Sequence, residues 1–206
     1  MDMGKVPERH VASTTAAVEG GRYPLDTVGR VKAEWVWREL WTQARTEGCS
    51  DEVLRLAVIV GVVRASGAGG LAPLRRAEVL ATRCGAYRPR ARKLLVVRSK
   101  WKSLHTVDVA DDLHVVLAAW LKRRAALVAE HIGGGAVEAL FVTVHHTKRS
   151  GGVIKQVGLP LDAPGLLWSW KRWATGQNVR HAGELGWEAL PMRFEQVRRA
   201  WWQPSE

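Results

Sequence analysis

The segment Asp51 to Ala65 constrains the fold more than any other part of the chain. Ser50 can cap a helix here, with Asp51 and Glu52 in its first turn, where negative charge meets the helix dipole favourably. Val53, Leu56, Ala57, Val60 and Val63 follow at helical spacing, in a broad apolar stripe. A helix with such a stripe has to be buried, so the rest of the chain must be arranged around it. Gly67, Gly69 and Gly70 then break it. The run Leu56 to Val63 is bounded by Arg55 and Arg64 and is too short to span a bilayer, so no membrane partner is expected.

Helical patterning recurs on both sides of this segment. Residues 1–27, with Ser13, Thr14, Thr15 and the Gly20-Gly21 pair, are expected to be a flexible N-terminal segment. From Val31 to Thr46, Ala33, Trp37, Leu40, Trp41 and Ala44 share a face, while Trp35 falls elsewhere. These tryptophans are expected in the core or at an interface. Asp111 or Asp112 opens a further helix with a stripe from Leu113 to Val128, and Lys122, Arg123 and Arg124 are assigned to its other face. Leu166 to Trp173 reads as helix, and Phe194, Val197 and Trp201, with Arg198, make a short amphipathic one, to which no functional role is assigned. Lys93–Arg98 and Leu104–Val109 read as a β-hairpin around a polar turn. Ala139–Val144 is a short apolar strand or buried segment. The fold class expected is mainly α with a small antiparallel β-sheet.

Charge narrows the partners. Lys and Arg number 31 against 20 acidic residues, a formal net charge of +11. Such an excess favours a polyanion, duplex DNA above all. The two cysteines, Cys49 and Cys84, are too far apart in sequence for a close metal pair and form no disulfide framework, which fits a reducing, cytoplasmic setting. His145 and His146 are adjacent, point different ways on a strand and have no third ligand nearby, so no metal is expected. Gly133-Gly134-Gly135 lacks the spacing and the following Lys-Ser/Thr of a nucleotide loop and reads as a linker. No cofactor is expected.

The chemistry concentrates in three places. Leu74-Arg75-Arg76-Ala77-Glu78-Val79-Leu80 starts a helix, expected over 73–83, with two guanidinium groups in its first turn. Arg75 and Glu78 lie three apart and can meet on one face. Lys100 and Lys102 sit at the hairpin turn. Gln177-Asn178-Val179-Arg180-His181 offers a further phosphate contact.

This ordered set resembles the catalytic domain of the tyrosine recombinases, the phage-integrase family. Their typical segment reads glycine-leucine-arginine, two variable residues, then glutamate; Leu74-Arg75-Arg76-Ala77-Glu78 matches it from the leucine on. The family's lysine lies in a β-hairpin, where Lys100 stands with Ser99 and Trp101 as neighbours in place of the usual glycine. A helix, a Leu140-Phe141-Val142 segment and the Gly151-Gly152 turn follow in the family's order. The second arginine, in a histidine, two residues, arginine box, is matched by Arg180, with Gln177 replacing the first histidine.

The resemblance implies roles. Arg75 and Arg180 would brace a DNA phosphate, and Lys100 would donate a proton to the departing 5′-oxygen. Glu78, Lys102, Gln177 and His181 would bind or support. It also implies a helical N-terminal remnant over 28–49 and a recombinase catalytic-like domain over 50–206, incomplete at its C-terminus. The nucleophile stays unassigned: Tyr23 and Tyr87 have the wrong context. The expected partner is duplex DNA, with a second copy or a full-length recombinase subunit as further partners. The expected function is DNA binding related to integration or recombination, with weak or no strand cleavage. A non-enzymatic DNA-binding regulator and a basic structural protein without a defined DNA role are the alternatives.

Overall fold

The computed structural model describes residues 28–202 except 69–70, 100–101, 134–135, 149–151 and 153. The expected flexible segment 1–27 and the side chain of Lys100 lie outside the described residues. The buried helix of the sequence analysis is α2 (Asp51–Ser66), capped by the Ser50 hydroxyl, which accepts from Val53 N at 3.3 Å. Every residue from Leu54 to Val63 is buried, including Arg55, so burial extends all round the helix and well beyond the expected face. Each fully buried Val, Leu or Ile contributes on the order of 1.5–3 kcal/mol.

α1 (Arg30–Ala44) and α4 (Asp111–Ile132) pack along α2, within one hydrophobic cluster. α1 buries Ala33, Val36, Trp37 and Leu40. α4 buries Leu113, Val116, Leu117, Trp120, Leu127 and Val128, ending at Gly133 in a left-handed conformation (φ 68°). Arg124, expected on the solvated face, is buried too: its Nε donates to Ala139 O at 2.7 Å and its guanidinium also reaches Val137 O. The reason is that residues 137–142 pack on α4 without a regular ladder, so their carbonyls need side-chain donors. That stretch, expected as a strand or buried segment, is buried at Leu140–Val142 but makes only isolated bridges, Arg83 with Ala139 and Val142 with Pro160.

A three-stranded antiparallel sheet, β1 (Tyr87–Arg88), β2 (Lys93–Arg98) and β3 (Ser103–Asp108), packs against α2 and α3 (Arg76–Leu80). Its hairpin register pairs Lys93 with Asp108 and Arg98 with Ser103. β4 (Thr147–Lys148) and β5 (Ile154–Lys155) form a second, two-stranded ladder. α5 (Ala163–Arg180) is capped by Asp162 and runs past the expected 166–173, absorbing Gln177 to Arg180 into its last turns. α6 (Phe194–Arg199) closes the described chain. The molecule is thus mainly helical with a small antiparallel sheet.

The tryptophans pin elements to one another through both ring and N–H. Indole Nε1 donates from Trp37 to Asp112 Oδ2 (3.1 Å), from Trp120 to Leu140 O (2.9 Å), from Trp170 to Pro191 O (2.9 Å), from Trp173 to Gln43 Oε1 (2.9 Å) and from Trp201 to Glu34 Oε1 (3.0 Å). All five rings are buried, as an amphipathic side chain with a satisfied donor allows.

Gly61 shows how tightly α2 is enclosed. A Cβ there would lie 2.6 Å from the Trp37 ring and 2.7 Å from Leu113 Cδ1. Gly61→Ala is expected to overpack this junction and cost roughly 1–3 kcal/mol in urea unfolding, despite the higher helix propensity of alanine.

Candidate functional site

Residues 71–75 link α2 to α3 without regular structure. Buried backbone polar groups outside a helix or sheet must find side-chain partners. Here four side chains from four elements supply them. Ser66 Oγ, at the end of α2, accepts from Leu74 N at 2.9 Å while donating to Val63 O at 2.7 Å. Arg98, the last residue of β2, donates from Nη1 to Ala72 O at 2.7 Å. Arg198, from α6, donates from Nη1 to Pro73 O at 2.6 Å. Glu78, in α3, accepts from Arg75 N at 2.8 Å through Oε2.

The Glu78 carboxylate does a second job. Its Oε1 accepts from Ser99 N at 2.8 Å and from Ser99 Oγ at 2.9 Å, and Arg98 Nη1 lies 3.7 Å from its other oxygen. One buried carboxylate therefore fastens the start of α3 to the turn that carries Lys102. The sequence reading had Glu78 meeting the Arg75 side chain. Instead it caps the Arg75 backbone, and its ion-pair partner is Arg98. The reason is local: Arg75 is the extended residue before α3 (φ −72°, ψ 156°), so α3 begins at Arg76 rather than Pro73 and Glu78 occupies the third helical position, from which a glutamate reaches back to the N-cap N–H.

The arginine side chains differ in how they are held. Arg75 is exposed, and its guanidinium has no hydrogen-bond or ion-pair partner among the described residues. Arg98 is 6% exposed, and its Nη2 has no partner among the described residues. Burial, and then the charges of Arg198 and Arg75, pull the Arg98 pKa below its ordinary value, against the opposing effect of Glu78. Arg198 is 8% exposed and held by Glu195, with Nε 2.7 Å from Oε2. His105, on β3, also titrates below its ordinary value because of burial and the Arg98 charge. Lys102 is exposed in the hairpin turn, with a left-handed backbone (φ 49°).

The Gln177–His181 group is placed elsewhere. Arg180 ends α5 and pairs with Glu39 of α1, Nη1 to Oε1, at 3.4 Å. His181 stacks on Trp187 (centroids 4.5 Å apart), meets Trp35 edge-on and contacts Glu184 through Nδ1 at 2.7 Å. Gln177 is buried, with its Oε1 unpartnered among the described residues. α5 packs against α3, but no hydrogen bond or ion pair among the described residues joins this group to Arg75. The later arginine that reaches the Arg75 segment is Arg198.

Two signals in the sequence pointed to the residues that were missed. Arg98 alternates with Leu94 and Val96, which places it on the buried face of its strand. Arg198 lies four residues after Phe194 and three before Trp201, so it shares their helical face. Ser66 carried no comparable signal, because its role depends on where the chain returns after the glycines.

Ionisation of Glu78 holds the site together. Burial acts to raise its pKa, but the hydrogen bonds from Arg75 N, Ser99 N and Ser99 Oγ and the Arg98 charge outweigh it, so the folded value lies below the ordinary one. The resulting stability is present in full above the unfolded-state value, about 4.3, and is lost as pH falls through the lower folded-state value. Glu78→Gln is expected to lose roughly 1.5–3 kcal/mol at pH 7 in urea titrations, with the gap to wild type closing at strongly acid pH.

No protein-family model matches the chain, and no curated protein matches it in sequence. Among solved structures, the crystal structure of XerA recombinase is similar at 14% identity and a TM-score of 0.47, over 84% of this chain and 48% of that one. The chain thus spans about half the length of that recombinase.

Proposed function

We propose that the chain binds duplex DNA through its phosphates at the Arg75 segment, as a protein related to site-specific recombinases. The observation that carries this reading is an exposed guanidinium, without a hydrogen-bond or ion-pair partner among the described residues, on a backbone held by four side chains. A flexible arginine loses rotamer entropy on meeting a phosphate; one rooted in a fixed main chain loses less. Arg98, with its unpartnered buried Nη2, adds positive potential behind it, and Lys102 flanks it on the hairpin turn.

In this proposal Arg75 contacts a non-bridging phosphate oxygen, Lys100 and Lys102 extend the contact along the backbone, and Glu78 positions both arms. Arg198 orients the Arg75 segment through Pro73 O, a positioning role and not the phosphate contact expected of Arg180. Arg180, Gln177 and His181 are left as contacts of the α1–α5 face. Strand cleavage by this chain alone is not part of the proposal. The Tyr87 hydroxyl lies against His114 Nδ1, a contact that could only help activate it, but the residue is 5% exposed and burial raises its pKa, and both of these oppose attack on a DNA phosphate.

Duplex binding across a salt series tests the reading. Arg75→Ala is expected to weaken binding alike for duplexes of unrelated sequence and to reduce the slope of log affinity against log salt by about one. Arg180→Ala is expected to leave both near wild type. Equal binding by wild type and Arg75→Ala would remove the proposal. A covalent protein–DNA adduct on a nicked duplex would overturn the assignment as a binder without its own nucleophile.

A further inference from the structure

A second site lies at the other end of α2. Arg55 and Ser66 are eleven residues apart, about 16 Å along the helix axis, so this site is separate from the Arg75 segment. It is a cavity of about 840 Å³ between the first turns of α2 and α5 and the segment before β4. Pockets that enclose small organic molecules fall in the range of roughly 300–1,000 Å³.

The wall holds a buried charged group whose structural contacts leave one of its donors unused. Arg55 is 3% exposed. Its Nη1 donates to Val142 O at 2.7 Å and its Nη2 to Ser169 Oγ at 2.6 Å, but Nε has no partner among the described residues. A buried guanidinium N–H without a partner carries a desolvation cost. Burial, then the nearby Arg172 charge, against Glu52 and Asp51, pulls its pKa to about 10, so it remains a cation at neutral pH.

The remaining charges do not cancel it. Arg172 pairs with Glu52, and Lys155 Nζ lies 3.1 Å from Asp162 Oδ2, its side chain 12% exposed. Among the described residues that line the cavity, the cations Arg55, Lys155 and Arg172 outnumber the carboxylates Glu52 and Asp162, and His145 stands beside them. The N-termini of two long helices, α2 and α5, face the same region and add to the positive potential. Trp168, 71% exposed and one turn before Arg172 on α5, also lines the cavity, with Leu161 and Pro164. An indole left in water at a cavity mouth is a ready stacking face for a planar ring.

We propose that this cavity binds a small aromatic carboxylate, with its ring against Trp168 and its anionic group toward Arg55 and Lys155. The excess of cationic side chains favours an anionic group, and the apolar residues favour a ring over a sugar. Occupancy would bear on α2 and α5 together, since both contribute walls.

The probe is 2-naphthoate, titrated calorimetrically into the full chain, with 2-naphthamide as its neutral counterpart of the same shape. Naphthoate is expected to bind with a dissociation constant at or below about 1 mM, and the amide about tenfold or more weakly. That comparison needs no variant, so misfolding cannot confound it. Trp168→Ala, at an exposed position, is expected to weaken naphthoate about tenfold, whereas Leu185→Ser, on a remote exposed residue, leaves it unchanged. Equal binding of acid and amide would overturn the anion assignment. Wild-type affinity in Trp168→Ala would overturn the placement of the ring. No binding by wild type at about 10 mM naphthoate would overturn the site.

Discussion

A sixteen-residue helix can be apolar on every side only if protein surrounds it on every side, and α2 sets that demand here. α1, α4 and the small sheet meet it, with α5 and α6 completing the enclosure. Where α1 and α4 close on α2, only a hydrogen atom fits at Gly61, so this three-helix junction has no slack. The two ends of the same helix then carry the two proposed sites. Ser66 at one end receives the Arg75 segment, and Arg55 at the other faces a cavity.

The positive charge of the chain has two destinations. Arg55, Arg98, Arg124 and Arg198 are all buried, and each donates to a main-chain carbonyl of a segment outside regular structure: Val142, Ala72, Ala139 and Pro73. A guanidinium suits this task because its five donors lie in one plane and its long stem reaches across an element boundary. Part of the net charge of +11 is therefore consumed in holding irregular backbone. The charge that remains for a partner is the exposed fraction, of which Arg75 is the member seated on the most constrained backbone.

Constraint and exposure meet at Glu78. Its carboxylate fastens two pieces of chain, Arg75 at the start of α3 and Ser99 in the hairpin turn, by three hydrogen bonds and is itself paired with Arg98. Because the fastening is made to backbone N–H groups, it fixes where the Arg75 and Ser99 main chains lie while leaving the Arg75 guanidinium without a hydrogen-bond or ion-pair partner among the described residues. The Arg198–Glu195 pair acts likewise on the other flank, with Arg198 reaching Pro73 O.

Helical and strand periodicity by themselves determined α1, α2, α4, the β2–β3 hairpin and the buried character of residues 140–142, because burial of one face leaves a repeat of 3.6 or 2 in the order of side chains. The same local signals placed Arg75 at a helix start and Glu78 within it. Only the tertiary structure decided which arginine meets the Arg75 segment. A run such as Gln177 to His181 carries the right residue types, yet α5 extends through it and turns Arg180 toward Glu39 of α1. Arg198 reaches Pro73 because α6 packs over the end of α2, a contact between residues 125 positions apart that no local repeat encodes. The cavity beside Arg55 was equally hidden, since its walls come from four separate stretches of chain brought together when α2 is buried.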